Sequence, residues 1–216
     1  MFVQPLPLIE CFWSEFEPSV RTVLTTDFWR AADWQEVGAQ WNGKGADPRW
    51  QTRFATRWTP NFIYFAFQTR FVELTMVDQP NLDTRTHELW KKEDVVEIFL
   101  NPDIRFPNRY KEFELSPSSQ WIDIEVNQDE GYKNFEWTSG MNCRSIVERA
   151  QKQWLAEFRV PLRSLGLVGT PPGRQVPLNA YRIELKSKLY LAWSPTYTPQ
   201  PDYHVPSRFG RMVLSR

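Results

Sequence analysis

The sequence predicts an all-β chain: an antiparallel two-sheet β-sandwich, jelly-roll-like, with short helical turns. Three observations carry this. The 11 Trp, 7 Tyr and 15 Phe make up 15% of the 216 residues, and aromatics favour strands. Proline is plentiful at 17 and glycine scarce at 9, a balance that suits turns and strand edges. Short alternating apolar segments recur between turn signals, the spacing expected of a sandwich or barrel.

In chain order, residues 1–20 read as an irregular lead-in broken by Pro5, Pro7 and Pro18, with a single domain over 21–216. Thr26 or Asp27 can cap a helical turn running into Trp34, and Asn42–Pro48 is a loop. Gln51–Trp58 and Phe62–Gln68, joined by Thr-Pro-Asn, form a hairpin whose second strand is buried. After a polar loop at 77–93, Asp94–Leu100 is a strand with Val96, Ile98 and Leu100 on one face. Tyr110–Leu115 and Trp121–Val126 alternate strictly. Their pattern places Phe113, Leu115, Ile122, Ile124 and Val126 inward, and Glu112, Glu114, Trp121, Asp123 and Glu125 outward. Later strands fall at Cys143–Arg149, Gln153–Val160, Arg182–Leu185 and Arg211–Leu214, with a short helix after Pro161 stopped by Gly166. The core expected from these faces holds Phe65, Val96, Ile98, Leu100, Phe113, Leu115, Ile122, Ile124, Ala156, Phe158, Val160, Ile183 and Leu185.

Charge and length narrow the partners. With 26 basic and 26 acidic side chains the chain has no net charge, so general attraction to nucleic acid or to acidic membranes is absent. No apolar stretch approaches the roughly 20 residues of a spanning helix. No nucleic acid and no membrane are expected as partners, and the chain reads as a monomer or weak oligomer; whether the partner is a mono- or oligosaccharide turns on the residues of two segments. Cys11 and Cys143 either pair or remain free thiols. The N-terminus lacks a basic region and a long apolar run. That predicts a cytoplasmic protein, or an extracytoplasmic one if the true start lies upstream.

Two segments concentrate chemistry. Leu89–Phe99 sets Trp90 in a loop and then Asp94 and Glu97 at the start of a strand. Sugar recognition uses this mixture, because a pyranose stacks its C–H face on an indole while its hydroxyls meet charged hydrogen-bonding groups. The alternative is a Trp covering a strand end above solvated acids. The second segment joins Trp193-Ser194-Pro195 to Asp202–Gly210, gathering Tyr203, His204 and Arg208 in a long irregular stretch. Such loops on rigid sandwiches are commonly functional. Trp193 and Phe209 read as core. Glu97 and Arg208 are expected near the ligand or near each other, a guanidinium being suited to grip a carboxylate.

The ordered set Trp29…Ala32, Trp90…Asp94…Glu97-Ile98-Phe99, Trp154…Glu157…Val160-Pro161-Leu162, Trp193-Ser194-Pro195 and Pro206-Ser207-Arg208-Phe209-Gly210 resembles family 9 carbohydrate-binding modules. It is most similar to their stand-alone bacterial relatives, from about residue 20 to the end. The resemblance implies a β-sandwich, a part in carbohydrate catabolism, and a non-catalytic site where two aromatics sandwich a terminal sugar. Trp90 matches the first aromatic, one residue farther from the Asp94/Glu97 pair. Tyr203 matches the second, three residues before the proline of the last motif, and Glu97 matches a sugar-binding carboxylate. On the next strand, where binding members carry Arg and Asn, this sequence has Glu114 and Ser116. The implied ligand set is Trp90, Glu97, Glu114, Tyr203, His204 and Arg208. The resemblance also leaves room for a structural calcium, with Asp78, Asp83, Glu93, Asp94, Asp129 and Glu130 as acids but without an Asp-x-Asp-x-Asp-Gly loop.

Three other functions compete. Glu97 and Glu114 on adjacent strands could act as the acid and base of a glycosidase. A b-type haem between sheets would need axial ligands from His87, His204, Met1, Met76, Met141 and Met212. Exposed aromatics also serve protein interfaces.

Overall fold

The computed structural model describes residues 5–20, 24, 26–79 and 82–216. The first four residues of the expected lead-in, including Met1, and Pro80 and Asn81 of the polar loop lie outside these. The described strands are β1 (Leu8–Trp13), β2 (Asp33–Glu36), β3 (Ala39–Gln40), β4 (Thr52–Trp58), β5 (Phe62–Arg70), β6 (Val95–Leu100) and β7 (Arg109–Leu115). They continue with β8 (Trp121–Asn127), β9 (Tyr132–Asn134), β10 (Asn142–Glu148), β11 (Gln153–Pro161), β12 (Gln175–Glu184), β13 (Leu189–Ala192) and β14 (Gly210–Ser215). The described α-helix is one turn, α1 (Asp27–Arg30).

The chain is all-β, as expected, but its strands join into one curled, mixed ladder rather than two separate antiparallel sheets. The order runs β10-β11-β5-β4-β1-β14-β12-β6-β7-β8-β9. The break with antiparallel pairing is β1, inside the stretch expected to be an irregular lead-in. It lies parallel to β14, from Leu8 opposite Arg211 to Phe12 opposite Ser215, and parallel to β4 at Phe12–Arg57 and Trp13–Trp58. Pro5 and Pro7 precede the strand and do not interrupt it. Ile9 and Cys11 are fully buried, so its alternation is real although short.

The main core lies where the curled sheet faces itself. Phe54, Phe65, Phe67, Trp154 and Phe158 from one half meet Val96, Ile98, Leu100, Phe113 and Leu115 from the other. Edge-to-face contacts such as Phe67–Phe158, with centroids 6.2 Å apart, give these rings their relative tilt. Leu185 is the one residue of the expected core that stays only partly buried.

Both faces of the β12-β6-β7-β8 half are covered, and this corrects the inward–outward assignment. Register places Glu114 opposite Ile122, Phe113 opposite Asp123 and Glu112 opposite Ile124. Ile122, Ile124 and Val126 therefore share a face with Glu112 and Glu114, not with Phe113 and Leu115. They form a second apolar cluster with Val95, Phe99, Tyr110, Tyr181, Tyr203 and Phe209. Asp123 turns toward the main core, where Arg85 Nε meets it at 3.0 Å and Ser139 donates to it from both backbone and hydroxyl. Strict alternation identifies two strands, but register decides which faces coincide.

Pro206–Arg208 is a single 3-10 turn, Phe209 fills the second cluster, and Gly210 opens β14. A Cβ on Gly210 would come within 2.4 Å of the Trp193 ring and 2.8 Å of the Pro7 carbonyl oxygen. Only glycine lets the chain pass there. Cys11 and Cys143 are both free, and burial raises both thiols, Cys11 to about 12, so neither ionises readily.

Candidate functional site

A hollow opens where the 3-10 turn Leu89–Lys91 and the loop before β14 meet the covered face of β6 and β7. Trp90, Glu97, Phe99, Glu112, Asp202, Tyr203 and His204 are among its lining residues. The hollow proper holds about 120 Å³ and reaches about 490 Å³ only with its open mouth counted, so it is shallower than the roughly 300–1,000 Å³ pockets that enclose a drug-sized ligand. Of the larger hollows, one beside Trp13 and Arg216 is lined mainly by apolar groups, and one between Arg109, Lys111, Glu125 and Glu130 has its charges paired with one another and no tryptophan among its lining residues.

Trp90 reaches the rim because Leu89 beside it is fully buried and anchors the turn. Its indole is 40% exposed, with the Lys91 ammonium 5.2 Å from the ring centroid. Its backbone N–H donates to Glu114 Oε2 at 3.2 Å, tying the turn to β7. Glu114 is 1% exposed and does not line the hollow. It supports Trp90 from behind.

Tyr203 is fixed from several sides. Its ring stacks on Tyr181 at 3.9 Å and 11°, its hydroxyl donates to the Arg182 carbonyl, and its own carbonyl accepts from the Tyr181 hydroxyl. Burial pushes both phenols well above their ordinary range. Tyr203 is thus a wall whose edge lines the hollow, with one face already occupied.

The floor is acidic. Glu97 is 3% exposed, sits opposite Glu114 on β7 and Tyr181 on β12, and receives no hydrogen bond from the described residues. Glu112, also 3% exposed, has an Oε2 without a hydrogen-bond partner, Lys133 Nζ standing 3.9 Å away. Burial, then repulsion from Glu112, raises Glu97 well above the usual carboxylate range, with Lys133 acting in the opposite direction. Glu114 is raised likewise by burial and then by Glu97 and Glu112. These groups hold protons at pH values where ordinary glutamates are ionised.

His204 links the floor to the outer loop. Nε2 lies 2.9 Å from Lys133 Nζ and Nδ1 lies 2.6 Å from the Tyr110 hydroxyl. An ammonium only donates, so Nε2 is the acceptor and the neutral ring carries its proton on Nδ1, donating to Tyr110. Burial holds this imidazole below its usual value, while Glu112 and Asp202 act against that. Phe99 stacks near it at 5.2 Å.

Of the residues singled out in the sequence, Trp90, Glu97, Tyr203 and His204 converge. Arg208 does not join them. Its Nε donates to the Pro195 carbonyl at 3.0 Å and its guanidinium lies 4.9 Å from the Tyr197 ring centroid, away from Glu97. Asp94 is also elsewhere, accepting from the backbone N–H groups of Thr75 and Leu185. Glu112, Lys133 and Tyr110 were missed. The signal for Glu112 was its two-residue offset from Glu114, which puts both on one face.

The calcium candidates do not converge. Glu93 accepts from Ser118 and Gln120, Asp129 from Asn108, and Glu130 pairs with Arg109. Among the described residues no three His, Cys, Asp or Glu side chains form a group suited to a metal. For haem, His204 has both ring nitrogens engaged, and His87 packs on Phe135.

No family model matches the chain. An extracellular protein of Arthroderma benhamiae is 25% identical over 146 residues, which is 59% of this chain and 63% of that one. Among solved structures, a candidate carbohydrate-binding protein from Bacteroides uniformis aligns over 98% of this chain and 100% of its own, with a TM-score of 0.77 at 15% identity. A family 9 carbohydrate-binding module from Caldicellulosiruptor kristjanssonii, in complex with cellotriose, aligns over 97% of this chain and 94% of its own (TM-score 0.64, 13% identity). A module of the same family and organism, in complex with glucose, aligns over 96% of each chain (TM-score 0.63, 14% identity). The fold of this chain is the fold of the family 9 carbohydrate-binding modules.

Proposed function

We propose that the hollow binds a carbohydrate without transforming it. A terminal sugar unit would stack against Trp90 and hydrogen-bond to Glu97. The observation that carries this reading is the meeting, in one shallow hollow, of a half-exposed indole and a buried carboxylate that accepts no hydrogen bond from the described residues. The sugar complexes of its structural neighbours support the reading at the level of the fold. A carboxylic acid that keeps its proton can both donate to and accept from a hydroxyl, which suits a polyol. Stacking supplies most of the affinity, because each neutral hydrogen bond exchanged with water nets only about 0.5–1.5 kcal/mol.

The glycosidase alternative has one observation in its favour, the two carboxylates Glu97 and Glu112 in the same hollow. Glu114, the partner first considered, is walled off behind Trp90. Thermal unfolding with glucose and cellotriose tests binding: a sugar at 100 times its Kd adds about 2.7 kcal/mol of stability. No shift with these or any other sugar of a panel of neutral and amino sugars at tens of millimolar would overturn the reading. Reducing-sugar release from cellotriose would replace it with the hydrolase.

A further inference from the structure

The hollow is short of positive charge. Glu97 and Glu112 line it, Asp202 stands at its mouth and Glu114 lies just behind, while no lysine or arginine is among its lining residues. Two cations are near, and each is engaged. Lys133 on β9 spends its close contact on His204 and stays 3.9 Å from Glu112, while Lys91 pairs with Glu88. The acids do not form a metal group among the described residues. Two observations beyond their number point to a ligand: Glu97 is 3% exposed, lines the hollow and accepts no hydrogen bond from the described residues, and Glu112 Oε2 is a buried acceptor without a partner. A buried carboxylate left this way is costly unless something donates to it.

We propose that the hollow selects an amino sugar, a carbohydrate carrying a free protonated amine, with its ammonium against the Glu97 and Glu112 carboxylates and its ring against Trp90. This deepens the proposed carbohydrate function and rests on it. An ammonium supplies three donors and one positive charge, so it serves both acids at once, whereas a hydroxyl supplies one donor and no charge. Trp90 adds to the preference, since the face of an indole attracts cations. The groups facing the ammonium are Glu97 on β6, Glu112 on β7, Lys133 on β9, Tyr181 on β12, and Asp202, Tyr203 and His204 from the loop. Seating a cation favours the ionised form of Glu97, whose proton burial otherwise retains, so binding releases a proton.

Isothermal titration calorimetry of D-glucosamine, D-glucose, N-acetyl-D-glucosamine and ethanolamine at pH 6.5 in low salt tests this, repeated in two buffers of different ionisation enthalpy. The expected result is glucosamine at least tenfold tighter than the other three, with proton release detected for glucosamine alone. In Glu112→Gln the preference for glucosamine over glucose should fall below about threefold. Glucose or N-acetylglucosamine matching glucosamine would overturn the amino-sugar proposal and leave carbohydrate binding standing. Silence from all three sugars would remove the carbohydrate reading itself, and ethanolamine matching glucosamine would overturn both.

Discussion

Replacing Glu97 by Gln should stabilise the protein at alkaline pH and do almost nothing at acid pH. Glu97 and Glu114 are direct cross-strand partners, and such pairs hold their side chains about 5 Å apart. Two unit charges at that distance repel by about 3 kcal/mol at an effective dielectric constant near 20. Because burial and mutual repulsion raise both carboxyls in the folded state, the fold holds protons that the unfolded chain has released. Below the ordinary glutamate value of about 4.5 both states are protonated and no penalty exists. As pH rises above it, the unfolded chain ionises first and stability falls until the folded acids ionise too. Glu97→Gln removes one partner, so the variant should gain about 1–3 kcal/mol over the parent at pH 8, or roughly 3–10 °C in Tm. Near pH 4 the two should coincide. Burial also raises Glu184, to about 7, but it is present in both proteins and cancels in the difference. Urea unfolding of both proteins from pH 4 to pH 8 is the assay. A gain that is the same at every pH, or a loss at pH 8, would refute the shared-proton floor.

Trp90→Ala should weaken binding of glucose or glucosamine tenfold or more, and more than Glu97→Gln weakens glucose, with little change in Tm because the indole is half exposed; fluorescence titration and thermal unfolding check both halves. Gly210→Ala should cost about 1–3 kcal/mol in urea unfolding, since its Cβ would strike the Trp193 ring and a backbone carbonyl. Arg208→Ala should leave sugar affinity unchanged in calorimetry and lower stability by about 1 kcal/mol, the loss of one half-exposed charged hydrogen bond to Pro195.

Legibility followed period and failed where register or burial decided. The long β5 and β11 were visible as apolar runs, and Phe65 and Phe158 face each other across them as core. Most of β12 was invisible because Pro177 and Asn179 interrupt the apolar pattern. Asn179 is nevertheless fully buried, its side chain bonded to Ser194 and to the Tyr181 hydroxyl. The acids of β7 read as solvated because alternation with Phe113 and Leu115 suggested a wet face. A loop arriving about 90 residues later covers that face with Tyr203 and Phe209, which no local pattern reveals. Trp90 and Tyr203 were found because aromatics beside chemistry-bearing groups stood out in irregular segments. Lys133 was not, because a lone lysine in a polar stretch looks like any solvated cation.

The parallel strand β1 has a consequence for how the chain is made. Leu8 pairs with Arg211, so the hinge between the two halves of the ladder waits for residues that leave the ribosome some 200 positions later. At roughly 5–20 residues per second, that delay is about 10–40 s. Throughout it the outer edge of β1 and its apolar side lack their final cover, which makes the nascent chain a client for chaperones. A stop codon before Gly210 would leave that state permanent, with the two halves unlinked and an open strand edge free to pair with other chains.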